Sequence, residues 1–110
     1  MKKGAAMENT KKAPASLAIQ VLPKTADDEE VIRIVDAVIA FLKGTGLNTF
    51  VGPFETTIEG GFDELCEIAK ECQRICLREG AESVSTYMKW AYSLNGVWSI
   101  EKKVSKHHAP

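Results

Sequence analysis

The sequence predicts an α+β domain of order βαββαβ: a four-stranded antiparallel sheet, two helices on one face and a short C-terminal helix. Three observations lead there. Strand-like stretches fall at 16–22, 47–51, 55–59 and 83–91. Two stretches of helical periodicity separate the first strand from the second and the third from the fourth. The link Gly52-Pro53 is short enough to make the middle two strands an antiparallel hairpin.

Residues 1–14 are small, polar and lysine-containing, and are expected to form a disordered tail ahead of a domain spanning 15–106. In the first strand Leu17, Ile19 and Val21 point one way and Ala18, Gln20 and Leu22 the other, and Pro23 is expected to end it. Thr25, with acids following, reads as a helix cap; Asp27, Asp28, Glu29 and Glu30 place negative charge where the helix dipole favours it. Val31, Val35, Val38, Ile39 and Leu42 form the apolar stripe, widened by Ile32, Ile34 and Phe41, and Lys43-Gly44 closes the helix. Gly60 and Gly61 end the third strand and open a second helix over 62–79. Its Leu65, Ala69, Cys72 and Cys76 share one face, and Gly80 stops it. Val84, Thr86, Met88 and Trp90 alternate with Ser85, Tyr87 and Lys89 in the fourth strand. Asn95-Gly96 signals a turn, and Ser99 caps a final helix carrying Ile100 and Val104, with a frayed tail from His107. In this ferredoxin-like arrangement the first and third strands are central, and the fourth lies beside the first.

The 110 residues suffice for one domain, and 45% hydrophobic with 26% charged residues is ordinary for a globular chain. A net charge of -1 argues against general attraction to nucleic acid or anionic membrane. No run reaches the ~18 apolar residues of a membrane span, and 4–12 lacks the apolar core of a signal peptide, so cytoplasmic retention is the expectation. The odd count of cysteines, Cys66, Cys72 and Cys76, argues against a disulfide framework in a cytosolic chain, and they lack the fourth ligand of a zinc site; Cys72 and Cys76 read as core residues, and no metal is expected.

The face of the sheet away from the helices carries Ala18, Gln20, Leu22, Asn48, Phe50, Thr57, Glu59, Ser85, Tyr87 and Lys89. Gln20, Thr57, Glu59 and Lys89 gather an amide, a hydroxyl, a carboxylate and an ammonium on rigid strands, the mixed set a heterocyclic ligand needs. The plainer reading is a Glu59–Lys89 cross-strand ion pair on a wet or oligomeric sheet face. Catalytic motifs are absent: no nucleophile elbow, no phosphate-cradling glycine loop, no His-Glu-x-x-His. Glu55 and Glu59 share a strand face at some distance along the strand, a weak signal for paired acid–base work, and Glu59 with Lys89 is the acid–base pair an enzyme reading would use. The aromatics Tyr87, Trp90, Tyr92 and Trp98 lack the basic surround of an RNA platform, and the third strand is acidic.

The run Gly52-Pro53-Phe54-Glu55-Thr56-Thr57-Ile58-Glu59-Gly60 resembles the hairpin motif of the small thiamine-binding protein family, approximately Pro-x-Gly-Thr-x-Ile-Glu-Gly. Ala18 to Pro23, Asp63-Glu64-Leu65, Ser85-Thr86-Tyr87-Met88-Lys89 and Ser99 to Val104 extend the resemblance over about 16–106. Glu55 stands where that family usually has glycine, and Trp90-Ala91-Tyr92 replaces a charged run. The resemblance implies non-catalytic binding of thiamine or hydroxymethylpyrimidine, as carrier, buffer or sensor, by a homo-oligomer (a dimer or dimer of dimers) assembled through its open sheet faces. The alternative is a regulatory or assembly module whose open face makes only protein contacts. By position the resemblance implicates Thr56, Glu59 and Lys89, although the strand alternation turns Thr56 toward the helices. Gln20, Thr57 and Ser85 join from strand geometry, with Phe50 and Tyr87 available to stack on a pyrimidine or approach a thiazolium. A phosphate-bearing ligand would need more positive charge than Lys89 supplies.

Overall fold

The structure is a computed structural model, described over residues 12–108. Its elements are β1 (Lys12–Lys24), α1 (Asp28–Gly44), β2 (Thr49–Val51), β3 (Thr56–Gly60), α2 (Phe62–Arg78), β4 (Ser83–Trp98) and α3 (Ile100–His108). The strands form one antiparallel sheet ordered β2-β3-β1-β4, the predicted ferredoxin-like topology. Lys12–Pro14 belong to β1 rather than to the expected tail; the rest of that tail, 1–11, lies outside the described residues.

Strand alternation sets the core. Leu17 is opposite Ile58 on one side and Trp90 on the other, and Ile19 is opposite Thr56 and Met88. Leu17 and Ile58 are fully buried, against Ile34, Val38 and Leu42 of α1 and Leu65, Ala69, Cys72 and Cys76 of α2. The α2 face is as predicted. The centre of the α1 stripe runs through Ile34, Val38 and Leu42, while Val31, Val35 and Ile39 sit half-buried on its shoulder. The three-residue β2 is too short to cover that shoulder. Burial pushes the Cys72 thiol up to about 12, so it stays protonated and inert.

Several ends differ from the sequence expectation. The α1 cap is Asp27, whose carboxylate accepts the Glu30 N–H at 2.9 Å; the Thr25 hydroxyl donates instead to the Asp27 carbonyl at 2.8 Å. Pro23 lies inside β1, in register with Val84, and does not end it. The β2–β3 hairpin is closed by the Gly52 N–H donating to the Glu55 carbonyl at 2.9 Å. A Cβ on Gly52 would sit at that same 2.9 Å from the oxygen, closer than such contacts allow. The helix α3 runs through His107 to His108 rather than fraying there.

The Asn95-Gly96 signal is not a strand end. The β4 strand continues through it, and the β1–β4 register slips from Ala15↔Tyr92 to Ala13↔Val97. Four β4 residues, 93–96, therefore face the single Pro14, and Gly96 takes φ +88 in the resulting bulge. After the bulge Val97 and Trp98 pair with Ala13 and Lys12, and the chain leaves β4 onto the open face of the sheet as α3. The bulge thus delivers the last helix to the face that α1 and α2 leave uncovered.

The C-terminal aromatics do not form one platform. Tyr92 stacks on Phe62 at 4.3 Å between ring centres, and Trp90 tilts against Phe62 at 5.3 Å. By strand alternation these lie on the helix side, while Tyr87 lies on the open side. Trp98 carries Lys102 over its ring. Among the described residues, no helix is long and apolar enough to cross a membrane.

Candidate functional site

Two cross-strand rows form the floor of a groove on the open face. Phe50, Thr57, Ala18 and Lys89 are successive partners across all four strands. The next row is Glu59, Ser16 and Ala91. Ala18 and Ala91 lack the bulk to fill the space above them, so the sheet is hollow there. The roof is Ile100, Lys103 and Val104, a single helical face of α3 at i, i+3, i+4. The groove between floor and roof encloses about 340 Å³.

What holds the roof is Glu59. One carboxylate oxygen accepts the Ile100 N–H at 2.7 Å, and the other accepts the Asn48 side-chain amide at 2.8 Å. The buried Ser99 hydroxyl accepts the Lys102 N–H at 3.2 Å, the cap expected of it. Together they satisfy two of the free N–H groups at the start of α3 and place a negative charge at its positive end. Glu59→Ala is expected to lower the unfolding free energy by about 1–2 kcal/mol, the usual cost of a lost cap. Urea denaturation checks it, and a midpoint unchanged from the parent would remove Glu59 from the anchoring of α3.

The expected Glu59–Lys89 ion pair is therefore not made. Lys89 pairs with Glu55 at 3.2 Å instead. Glu55, just before β3, and Glu59, within it, lie on opposite sides of the Thr57 row; Glu59 is committed to α3, so Lys89 turns toward the hairpin end. That separation removes the pair an acid–base reading would need. Glu55, which departs from the family glycine, lines the groove beside Thr57.

Of the residues singled out from sequence, Phe50, Thr57 and Lys89 meet in the groove. Gln20 and Tyr87 are partners in the adjoining row, and Ser85 lies farther along opposite Leu22. These three are on the same face but outside the groove. Thr56 is buried on the helix side, opposite Ile19. Sequence reasoning missed Ser16, Ala18 and Lys103. The first two sit in the alternation that named Gln20, but alanine and a strand-end serine carry no obvious chemistry. Lys103 could be placed only once α3 was seen to cross the open face. A second hollow of about 260 Å³ lies behind the sheet, where the α1 shoulder and the Pro53-Phe54 hairpin leave a gap, and it is mostly apolar. Among the described residues, no cluster of three or more His, Cys, Asp or Glu could hold a metal ion.

Comparison with known proteins agrees with this architecture. The profile of the thiamine-binding protein family matches residues 17–108. UPF0045 protein CPE1503 of Clostridium perfringens is 40% identical over 92 residues, covering 84% of this chain and 95% of that protein. A Bacillus cereus domain of unknown function, DUF77, superposes with a TM-score of 0.77 at 32% identity, covering 86% of this chain and 90% of its own. A Thermotoga maritima protein provisionally assigned to thiamine biosynthesis or salvage gives 0.76 at 30% identity, covering 86% and 98%. The chain belongs to the thiamine-binding protein family, and its class of function is non-catalytic binding of a thiamine-related small molecule.

Proposed function

We propose that the groove between α3 and the open sheet face binds thiamine or its hydroxymethylpyrimidine part, and that the chain serves as a carrier, buffer or sensor of that ligand in the cytoplasm. The supporting observation is the lining: a flat apolar ring (Phe50), two hydroxyls (Ser16, Thr57), the Glu55–Lys89 pair and an aliphatic roof around one hollow. An aminopyrimidine is flat and carries donors and acceptors on its edge, so it needs an apolar slot with a few fixed polar groups. In this reading Phe50, Thr57 and Lys89 touch the ligand, Glu59 positions the roof, and Thr56 supports β3 from behind.

The outer part of the same face suits assembly into a homo-oligomer. Leu22 is 45% and Tyr87 63% exposed there, beside Gln20 and Ser85. Such a patch favours a second copy over water. Calorimetric titration with thiamine, then with hydroxymethylpyrimidine, tests the proposal. Saturable binding at one ligand per chain, or a simple fraction of that, is expected. No heat at several temperatures, with no shift in melting temperature, would leave a face that makes only protein contacts.

A further inference from the structure

Glu55 and Lys89 meet at the hairpin end of the groove, and both line it. The carboxylate of one and the ammonium of the other are 3.2 Å apart, so they offer one acceptor and one donor, side by side, to the same hollow. The Lys89 and Glu55 side chains are 76% and 36% exposed, and an ion pair that open to water holds itself together only weakly. A carboxylate has about four acceptor positions, so Glu55 can take a further donor without releasing Lys89.

Glu55 is the acid placed for that contact. Both oxygens of Glu59 are taken, by the Ile100 N–H and the Asn48 amide, whereas Glu55 lines the hollow on the same face as Thr57, two residues on. Its main chain is fixed as well, because the Glu55 carbonyl accepts the Gly52 N–H that closes the hairpin. The charges around the hollow balance, Glu55 and Glu59 against Lys89 and the exposed Lys103. Selection by net charge is therefore weak there, and the pattern of donors and acceptors decides which ring fits.

Given that the groove is the ligand site, we infer that Glu55 reads the amino group of the pyrimidine: its carboxylate accepts from the exocyclic amine while Lys89 donates to the neighbouring ring nitrogen. An aminopyrimidine carries a donor and an acceptor on adjacent atoms of one edge, the complement of what Glu55 and Lys89 present. The ring lies over Ala18, where the floor is hollow, with Thr57 and Phe50 beside it in the same row. Glu55 stands where the family usually has glycine. A glycine there would leave the lysine donor in place and remove the acceptor, so the preference for an amino group belongs to this chain's own residue.

The 4-oxo analogue of thiamine tests this. It replaces the amine by a carbonyl and protonates the adjacent nitrogen, which inverts donor and acceptor on that edge and leaves the rest of the molecule unchanged. Turning the ring over would restore the pattern only by swinging the large substituent on C5 to the opposite side. Calorimetric titration of the full chain is expected to show thiamine binding about tenfold tighter than the analogue, the size of one charge-assisted hydrogen bond at a partly wet site. Glu55→Gln can turn either its amide oxygen or its amide nitrogen to the ligand, and should shrink that preference to about twofold. The hairpin is closed by the Glu55 carbonyl and not by its side chain, so the variant should melt with the parent. Lys89→Met, which removes the donor, should narrow the preference independently. Equal binding of thiamine and its analogue by the parent, or a preference that survives Glu55→Gln in the folded variant, would overturn the role of Glu55 while leaving the groove as a binding site. Binding of neither compound, nor of hydroxymethylpyrimidine, would overturn the site itself.

Discussion

Ala18→Phe is expected to weaken ligand binding by about 100-fold while moving the melting temperature by no more than about 3 °C. Ala18 lies in the middle of the floor, between Thr57 and Lys89 in register, with α3 above. A phenyl ring there stands in the space a heterocycle would take. The fold tolerates it because the side chain points away from the α1–α2 core and aromatic residues suit a strand. The check is titration alongside a thermal melt. Undiminished affinity in a folded variant would move the site off this face, and the hollow behind the α1 shoulder would be the next place to look.

Most of the fold was legible from periodicity. The α2 face and the core-facing residues of β1 and β3 follow from which residues alternate or recur, and the pairing of β1 with β3 and β4 from the order of the elements; on β4 the expected face is only partly covered, with Met88 41% and Trp90 38% exposed. The misreadings have local causes. Thr25 and Asp27 are both capping residues two apart, and a third-residue acid follows each, so sequence alone gave no reason to prefer the one that the chain uses. Asn95-Gly96 is a turn signal because glycine and asparagine tolerate positive φ, and a bulge uses that same tolerance at Gly96 without reversing the chain.

The candidate site was half legible. Phe50, Thr57 and Lys89 came from assigning faces to strands, which requires only the period of two. What the sequence hid was where α3 goes. Nothing in residues 100–108 says which face of the sheet they meet; that is set by the register slip between Ala13 and Ala15, a property of two strands far apart in the chain. The position of α3 decides the rest: it turns Glu59 from an open-face ligand into an anchor, leaves Lys89 to Glu55, and brings Lys103 to the groove that Ser16 also lines.

The neighbouring residue is expected to give the opposite phenotype. Leu17→Ala should cost about 2–5 kcal/mol of unfolding free energy, the range for a buried leucine whose cavity only partly collapses. Leu17 is fully buried on the central strand, opposite Ile58 and Trp90, beneath both helices, so its neighbours are fixed from every side and the upper half of that range applies. A domain of this size has only ~5–15 kcal/mol in all, so a large part of its stability goes. The side chain does not reach the groove, and the molecules that remain folded should bind ligand with the parent affinity, which titration at low temperature would read beside urea denaturation. One position apart on β1, Leu17→Ala loses stability and keeps binding, whereas Ala18→Phe keeps stability and loses binding. If both variants lost binding equally while still folded, floor and core would be one mechanical unit, and the division of labour between the two faces of the sheet would not hold.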